Sequence, residues 1–380
     1  MKYQAVCVES LGYSLPAEVI DSTEIERRLA PLYDRLHLPE GRLELITGVR
    51  ERRLWPVDAF PSQESINSAE RALQAAGVDR HEVGAVIHGS VCRDYLEPAT
   101  ACRIHHELGL PADCLVQDVS NACLGLLNGI VQVANMIELG QIRAGLVVGT
   151  EDCRALLQNT IERLNLESGI SRDRVKQAVA SLTIGSGSCA VVLVERHLSR
   201  TDNRLRAAVA RAETSFHHLC HSQRHQTTGV VGGPWMETDA ERLMTEGIAM
   251  GRATFDHFLQ TLNWEVDDID KVFCHQVGSM HRKRMLESLG LDLQKDFSTL
   301  DWLGNTGSVA LPMTMAIGLE KGHVKRGERV GMLGIGSGIN CLMLAVEWQR
   351  SLVGTADGRV VDSAAEVPPR AYADSDLARP

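Results

Sequence analysis

The N-terminal stretch Met1-Lys2-Tyr3-Gln4-Ala5-Val6-Cys7-Val8 lacks the apolar core of a signal peptide. No apolar run approaches the roughly 18 residues of a membrane span, so no span is expected. Ten cysteines are present, but without a Cys-x-x-Cys pair or regular spacing, which gives no sign of a disulfide framework. A cytoplasmic protein with reduced thiols is the expectation. There is no long block of Lys and Arg, and the 380 residues carry a formal net charge of -10, which argues against a nucleic-acid partner. An acidic chain can still hold an anionic cofactor on a local arginine patch. A hydrophobic content of 44% and a charged content of 23% fit a soluble globular protein, and the length allows two or three domains.

What is present centres on Asp118-Val119-Ser120-Asn121-Ala122-Cys123-Leu124-Gly125-Leu126-Leu127-Asn128-Gly129-Ile130. It reads as a strand end, a tight turn carrying a cysteine, and the start of a helix. Apolar residues at Leu124, Leu127, Ile130, Val131, Ala134 and Ile137 follow a helical period. Val133 and Met136 widen that face, which predicts a helix buried on several sides. A cysteine at the mouth of a helix meets unpaired backbone N–H groups and the positive end of the dipole. That field favours thiolate, the nucleophilic form. The plain alternative is a small core residue, the usual fate of free cysteine. From this stretch alone both readings stand.

Around it, apolar strands alternate with helices. Strands are expected over residues 2–8, 83–90, 144–150, 188–194, 205–214, 271–275, 329–338 and 341–348. Helices are expected over 21–36 with a break at Pro31, and over 62–77, 99–108, 240–262, 279–289 and 310–321. The alternation predicts parallel sheets covered on both faces. The rhythm restarts after a polar break at 197–204, which suggests two related α/β units, residues 1–200 and 201–350. Residues 351–380 are rich in Ala, Asp, Pro and Gly without a period, and are expected to form a disordered tail.

Four further features carry possible chemistry. Arg50, Arg52 and Arg53 crowd into four positions, either as a solvated turn or as guanidinium groups that bind phosphate in pairs. His217, His218, Cys220, His221 and His225 gather in one polar stretch. Their spacing fits no zinc pattern, so they are read as a loop near the site and no metal is expected. His275 ends a strand in Cys274-His275-Gln276-Val277, where a satisfied core histidine is the plain reading. Asn305 lies in Gly304-Asn305-Thr306-Gly307, where the plain reading is a turn former.

Cys123, His275 and Asn305 in this order, each in its own segment, resemble the thiolase superfamily and most closely its ketoacyl synthase III-like branch. Asn-Ala-Cys-Leu-Gly, His-Gln, Gly-Asn-Thr and the closing Gly-Ile-Gly-Ser-Gly match in order across roughly residues 1–350, and Thr47 to Arg53 looks like the family's early Arg-rich segment. The resemblance implies a five-layered αβαβα thiolase fold built from two similar halves, usually a homodimer. It implies acyl transfer from a coenzyme A or carrier-protein thioester onto Cys123, followed by attack of a second acyl unit as a carbanion. His275 and Asn305 would donate to the thioester oxygen of that second unit. Backbone N–H groups of Cys123 and of the Ser337 loop would hold the oxygen of the acyl-enzyme. Arg50, Arg52, Arg53 and Arg282 are candidates for the coenzyme A phosphates. Coenzyme A then enters as substrate, and no separate cofactor is expected.

Glu97 narrows the branch. Synthase III enzymes decarboxylate a malonyl unit and need no strong base. The Arg93-Asp94-Tyr95-Leu96-Glu97-Pro98 segment instead resembles the olefin-pathway (OleA-type) acyl-CoA condensing thiolases. There a glutamate from the partner subunit removes an α-proton, and an apolar channel would raise its pKa toward useful basicity. The expected reaction is a non-decarboxylative Claisen condensation of two fatty acyl-CoAs to a 2-alkyl-3-ketoacyl product. The alternatives are a decarboxylative synthase using malonyl-carrier protein, an aldol condensation like that of hydroxymethylglutaryl-CoA synthase, and a non-catalytic acyl-binding subunit. For Glu97 itself, the plain reading is a surface acid before a helix start.

Overall fold

The protein was analysed as a computed structural model, which describes residues 1–223 and 233–363. Its frame is one mixed sheet of eleven strands. The N-terminal part runs, in space, Leu115–Val119, Val83–Gly89, Ala144–Glu151, Gly187–Glu195 and Val6–Ser14. The C-terminal part continues with Arg204–Ala212, Asn340–Glu347, Arg329–Gly336 and Lys271–Cys274. The antiparallel pair of Cys7 with Arg204 joins the two, with a further antiparallel bridge between Lys2 and Ala207.

The two parts repeat one pattern. Val83–Gly89 lies parallel to Ala144–Glu151, which is antiparallel to Gly187–Glu195, which is antiparallel to Val6–Ser14. Lys271–Cys274, Arg329–Gly336, Asn340–Glu347 and Arg204–Ala212 are related in the same sequence of directions. The expected all-parallel sheets are therefore corrected to mixed ones. Alternating apolar strands and helices report burial on both faces, and burial does not set direction.

Helices cover the sheet in layers. Pro61–Ala76 and Thr100–Glu107 pack on the outer face of the N-terminal part, and Ala240–Leu262 with Ser279–Leu289 on that of the C-terminal part. Between them lie Gly125–Glu138 and Ala310–Glu320, in a core shared by strands of both parts. All ten residues from Ala310 to Leu319 are buried. A helix apolar all round is stable only where protein surrounds it, so this pair marks the middle of five layers.

The tail expectation also changes. Leu352–Gly354 pairs parallel with Val6–Ser14, and Val360–Asp362 folds back on it antiparallel. Arg350 holds that return by two hydrogen bonds to Asp362, 2.9 and 2.6 Å. Residues 364–380 of the expected tail lie outside the described residues. No helix among the described residues is long and apolar enough to cross a membrane.

Candidate active site

The nucleophile turn is built by backbone bonds. Leu124 N–H donates to Asn121 O at 2.9 Å and Gly125 N–H to Ala122 O at 3.3 Å, with Ala122 in the left-handed region at φ 43°. This bend places Cys123 two residues ahead of the helix Gly125–Glu138. The turn is tied across to the C-terminal part: Asn340 Nδ2 donates to Asn121 Oδ1 at 3.1 Å, and Asn121 Nδ2 to Asn128 Oδ1 at 2.8 Å. Gly336 closes the contact. A Cβ there would lie 3.2 Å from Leu124 Cγ, tighter than an ordinary contact, and 3.5 Å from the Cβ and the N of Cys123.

The backbone N–H groups of Cys123 and Ser337 lie close to the Cys123 thiol. Those donors favour thiolate, yet the pKa is pushed up to about 12, first by burial, then by Cys220 and Glu151 nearby. The expectation that the helix mouth favours thiolate is therefore corrected. The residue keeps some accessible surface, but its sulfur is enclosed, and desolvation outweighs two N–H donors and a helix end. At rest the group is a thiol.

His275 follows the edge strand Lys271–Cys274, and its N–H donates to Leu333 O at 3.2 Å, three residues before Gly336. The ring is buried, and neither ring nitrogen has a hydrogen-bond partner. Burial, and secondarily His281, hold its pKa at about 3, so the imidazole is neutral at physiological pH and has a free N–H to donate. Two buried groups fix its backbone. Asp296 Oδ1 accepts from Cys274 N–H at 3.1 Å, and Gln276 Oε1 accepts from Thr299 N–H at 3.0 Å. The ring lines a largely apolar pocket with Met285, Leu289, Leu333 and Met343.

Asn305 is held from the N-terminal part. Its N–H donates to Thr183 O and its carbonyl accepts from Gly185 N–H, both at 2.9 Å. Its side-chain Oδ1 accepts from Gly307 N–H at 3.0 Å, which turns the amide so that Nδ2 is the free donor.

The arginines depart from expectation. On Glu51–Leu54 alternate residues face inward, and Arg52 is fully buried. It donates to Ser22 Oγ at 3.1 Å and Leu182 O at 2.8 Å. Arg53 donates to Pro16 O at 2.9 Å. Arg282 donates to the Asp296 carboxylate at 2.5 Å and to Asp296 O at 2.9 Å. These three brace the scaffold, which corrects the phosphate reading for them. Arg50 alone of the four is exposed, beside Glu51 at 3.2 Å and Asp301 at 3.9 Å.

Glu97 lies exposed on the loop between Val83–Gly89 and Thr100–Glu107. The carboxylate that faces Cys123 from its own chain is that of Glu151, not Glu97. Of the histidine-rich stretch, Cys220–Gln223 is a strand paired with Trp235–Thr238 rather than a loop. His225 lies outside the described residues. No group of three or more metal-binding side chains occurs among the described residues.

Sequence reasoning missed Asn121, Asn340, Asp296 and Glu151. Asn340 stands between a glycine loop and an apolar strand, whereas Asn121, Asp296 and Glu151 stand among other polar residues. A charge that ends an apolar strand, as Glu151 does, is the one signal that pointed to them.

Residues 63–184 match the family described as Thiolase, N-terminal domain, and residues 259–348 match 3-Oxoacyl-[acyl-carrier-protein (ACP)] synthase III C terminal. The chain is 43% identical to the acyl-CoA:acyl-CoA alkyltransferase of Shewanella oneidensis, covering 92% of this chain and all of that one. It superposes on Xanthomonas campestris OleA in a cysteine-to-serine variant with bound lauric acid and lauroyl-CoA: 34% identity, TM-score 0.85, 91% of this chain and 100% of that one. A glutamate-to-glutamine variant of the same protein gives 34% identity and a TM-score of 0.86, covering 92% and 98%. With a thiolase fold and this identity over nearly its whole length, the chain belongs to the acyl-CoA:acyl-CoA alkyltransferase (OleA) family.

Proposed function

We propose that the enzyme joins two fatty acyl-CoA thioesters head to head without decarboxylation, in the cytoplasm, as a homodimer. The carrying observation is the enclosed Cys123 sulfur, with the N–H groups of Cys123 and Ser337 beside it, at the mouth of a buried helix. In the first step Cys123 attacks the acyl carbonyl. The same two N–H groups are the donors we assign to the developing oxyanion. The new thioester forms on Cys123, the C–S bond to coenzyme A breaks, and the thiol proton leaves on the coenzyme A sulfur.

In the second step the oxygen of another acyl-CoA accepts from the free N–H of His275 and from Asn305 Nδ2. Glu97 of the partner subunit takes the α-proton. The carbanion attacks the acyl-Cys123 carbonyl, the carbon–carbon bond forms and the Cys123 thiolate leaves. The product is a 2-alkyl-3-ketoacyl-CoA, and the proton on the glutamic acid returns to the thiolate. A neutral histidine suits this role, because it donates without first needing to be protonated.

Two features support a dimer with Glu97 crossing over. Val57, Phe60, Val91, Tyr95 and Leu96 around it are exposed, an apolar cluster that single domains rarely leave to water. The adjoining strand Leu115–Val119 is a sheet edge, and sheet edges pair readily. Arg50 is the remaining candidate for a coenzyme A phosphate. A carrier protein is the alternative donor.

The test is a long-chain acyl-CoA alone, with no malonyl donor, followed by thiol release, intact-protein mass and product mass. A coupled β-keto product that is lost in both Cys123→Ala and Glu97→Gln is expected, with the acyl adduct still forming in Glu97→Gln. An adduct that couples only after a malonyl thioester is added would overturn the proposal in favour of the decarboxylative synthase.

A further inference from the structure

Glu151 is a buried carboxylate that the chemistry above does not use. It ends the strand Ala144–Glu151 and faces two loops at once. Its Oε1 accepts from Val91 N–H at 3.0 Å, from Ser308 Oγ at 2.6 Å and from Ser308 N–H at 3.3 Å. Val91 opens the loop that carries Glu97. Ser308 follows Gly307, whose N–H holds Asn305 Oδ1. A Cβ on Gly307, at φ 57°, would lie 3.0 Å from Glu151 Cγ, so the loop backbone rests directly on this side chain. The strand end grips the Glu97 side twice more, through Ser90 Oγ to Thr150 O at 2.6 Å and Asp152 N–H to Cys92 Sγ at 3.3 Å. Trp55 Nε1 fixes Glu151 itself by donating to its carbonyl at 3.1 Å.

A buried carboxylate is costly to keep unless its oxygens are well supplied with donors. Here three donors converge on one oxygen, and they come from two loops that serve two sites in the proposed dimer: the Asn305 loop that of its own subunit, the Glu97 loop that of the partner. We propose that Glu151 is a positioning residue for carbon–carbon bond formation, tying the Glu97 loop to the Asn305 loop while taking no part in acylation of Cys123. This rests on the condensation proposed above. The geometry gives it a two-sided signature. The same carboxylate faces Cys123 and disfavours its thiolate, so removing it helps the first step while it disorders the second. A role confined to folding would harm both steps together.

The two steps separate in one experiment with a long-chain acyl-CoA alone. The burst of free coenzyme A reports acylation, and steady coupled product reports condensation. For Glu151→Ala, condensation is expected to fall about 10- to 100-fold, the usual effect of an ångström-scale misplacement, with the burst not slowed. Glu151→Gln keeps an acceptor oxygen and should recover condensation to within about 5-fold of wild type. Ser308→Ala, which removes only the 2.6 Å donor, should fall between them. Thermal melting of each variant confirms folding. A parallel fall in burst and product, or unchanged condensation in folded Glu151→Ala and Ser308→Ala, would overturn the assignment. Wild type that acylates without coupling would count against the condensation itself, a result read before any variant is made.

Discussion

Each half of the molecule buries one histidine at the end of the corresponding strand. His88 is the sixth residue of Val83–Gly89, and His275 follows Lys271–Cys274. Both are buried, neither ring has a hydrogen-bond partner, and burial lowers both pKa values, to about 4 and about 3. What surrounds them differs. His88 Nδ1 lies 3.9 Å from Asp118, whose carboxylate accepts from Thr100 and Ala101 N–H at the start of the helix after the Glu97 loop. His275 has His281 and an apolar pocket beside it. The carboxylate beside His88 belongs to a helix cap, so that site is a brace. His275 lines a small, mostly apolar cavity with no carboxylate in its lining, so no acid claims its free N–H. Burial and an unpaired ring do not distinguish function from support; the neighbours do.

The sharpest test of that contrast is activity. His275→Ala should lower condensation by about 100- to 1,000-fold, the usual cost of losing one donor to a developing oxyanion. The Cys123 adduct should still form. His88→Leu should leave steady condensation within about 3-fold of wild type. Product formation with a long-chain acyl-CoA measures both. Equal losses in the two variants would erase the distinction.

Stability in acid comes next. A histidine at about 4 in the folded state and 6.5 in the unfolded one binds more protons when unfolded across that window. Stability is therefore intact above pH 6.5 and is lost as the pH falls toward 4. For His88 the loss amounts to about 3 kcal/mol at most, and His275 and His281, at about 3 and 4, act in the same direction. Denaturant midpoints at pH 7.5 and pH 5 should fall less for His88→Leu than for wild type. An identical fall would mean that His88 titrates alike in the folded and unfolded chains, and a smaller fall in wild type would mean that it is already charged and paired with Asp118. Since His275 stays neutral across this range, its protonation should not limit condensation above pH 5.

How far the sequence carries such distinctions depends on the feature. Ala240–Leu262 and Ser279–Leu289 begin and end where helical periodicity puts them, because a long amphipathic stretch has few alternatives. Cys123, His275 and Asn305 are legible as an ordered set of short segments. Strand direction is not legible, because burial patterns are blind to it. The inward turn of Arg52 depends on strand alternation within four residues. The strand Leu352–Gly354 is three residues long, too short for a period. The high pKa of Cys123 depends on how completely the C-terminal glycine loop covers it. That is a tertiary contact between residues more than two hundred apart, and local sequence carries no trace of it.

The smallest predicted effect isolates the carboxylate that separates the two histidines. Asp118→Asn keeps an acceptor for one of the two helix N–H groups and loses the charge, at a cost of about 1 kcal/mol at neutral pH. The same charge is what holds the His88 pKa up against burial. Without it the folded pKa drops further and the gap from the unfolded value widens, so the acid loss should continue to lower pH than in wild type. The signature is therefore a small deficit at pH 7.5 that grows below pH 5, read from denaturant midpoints across the range. A deficit that stays constant with pH would show that Asp118 serves the helix alone. His88 and His275 would then sit in equivalent electrostatic settings, and only the small apolar cavity beside His275 would be left to set the two apart.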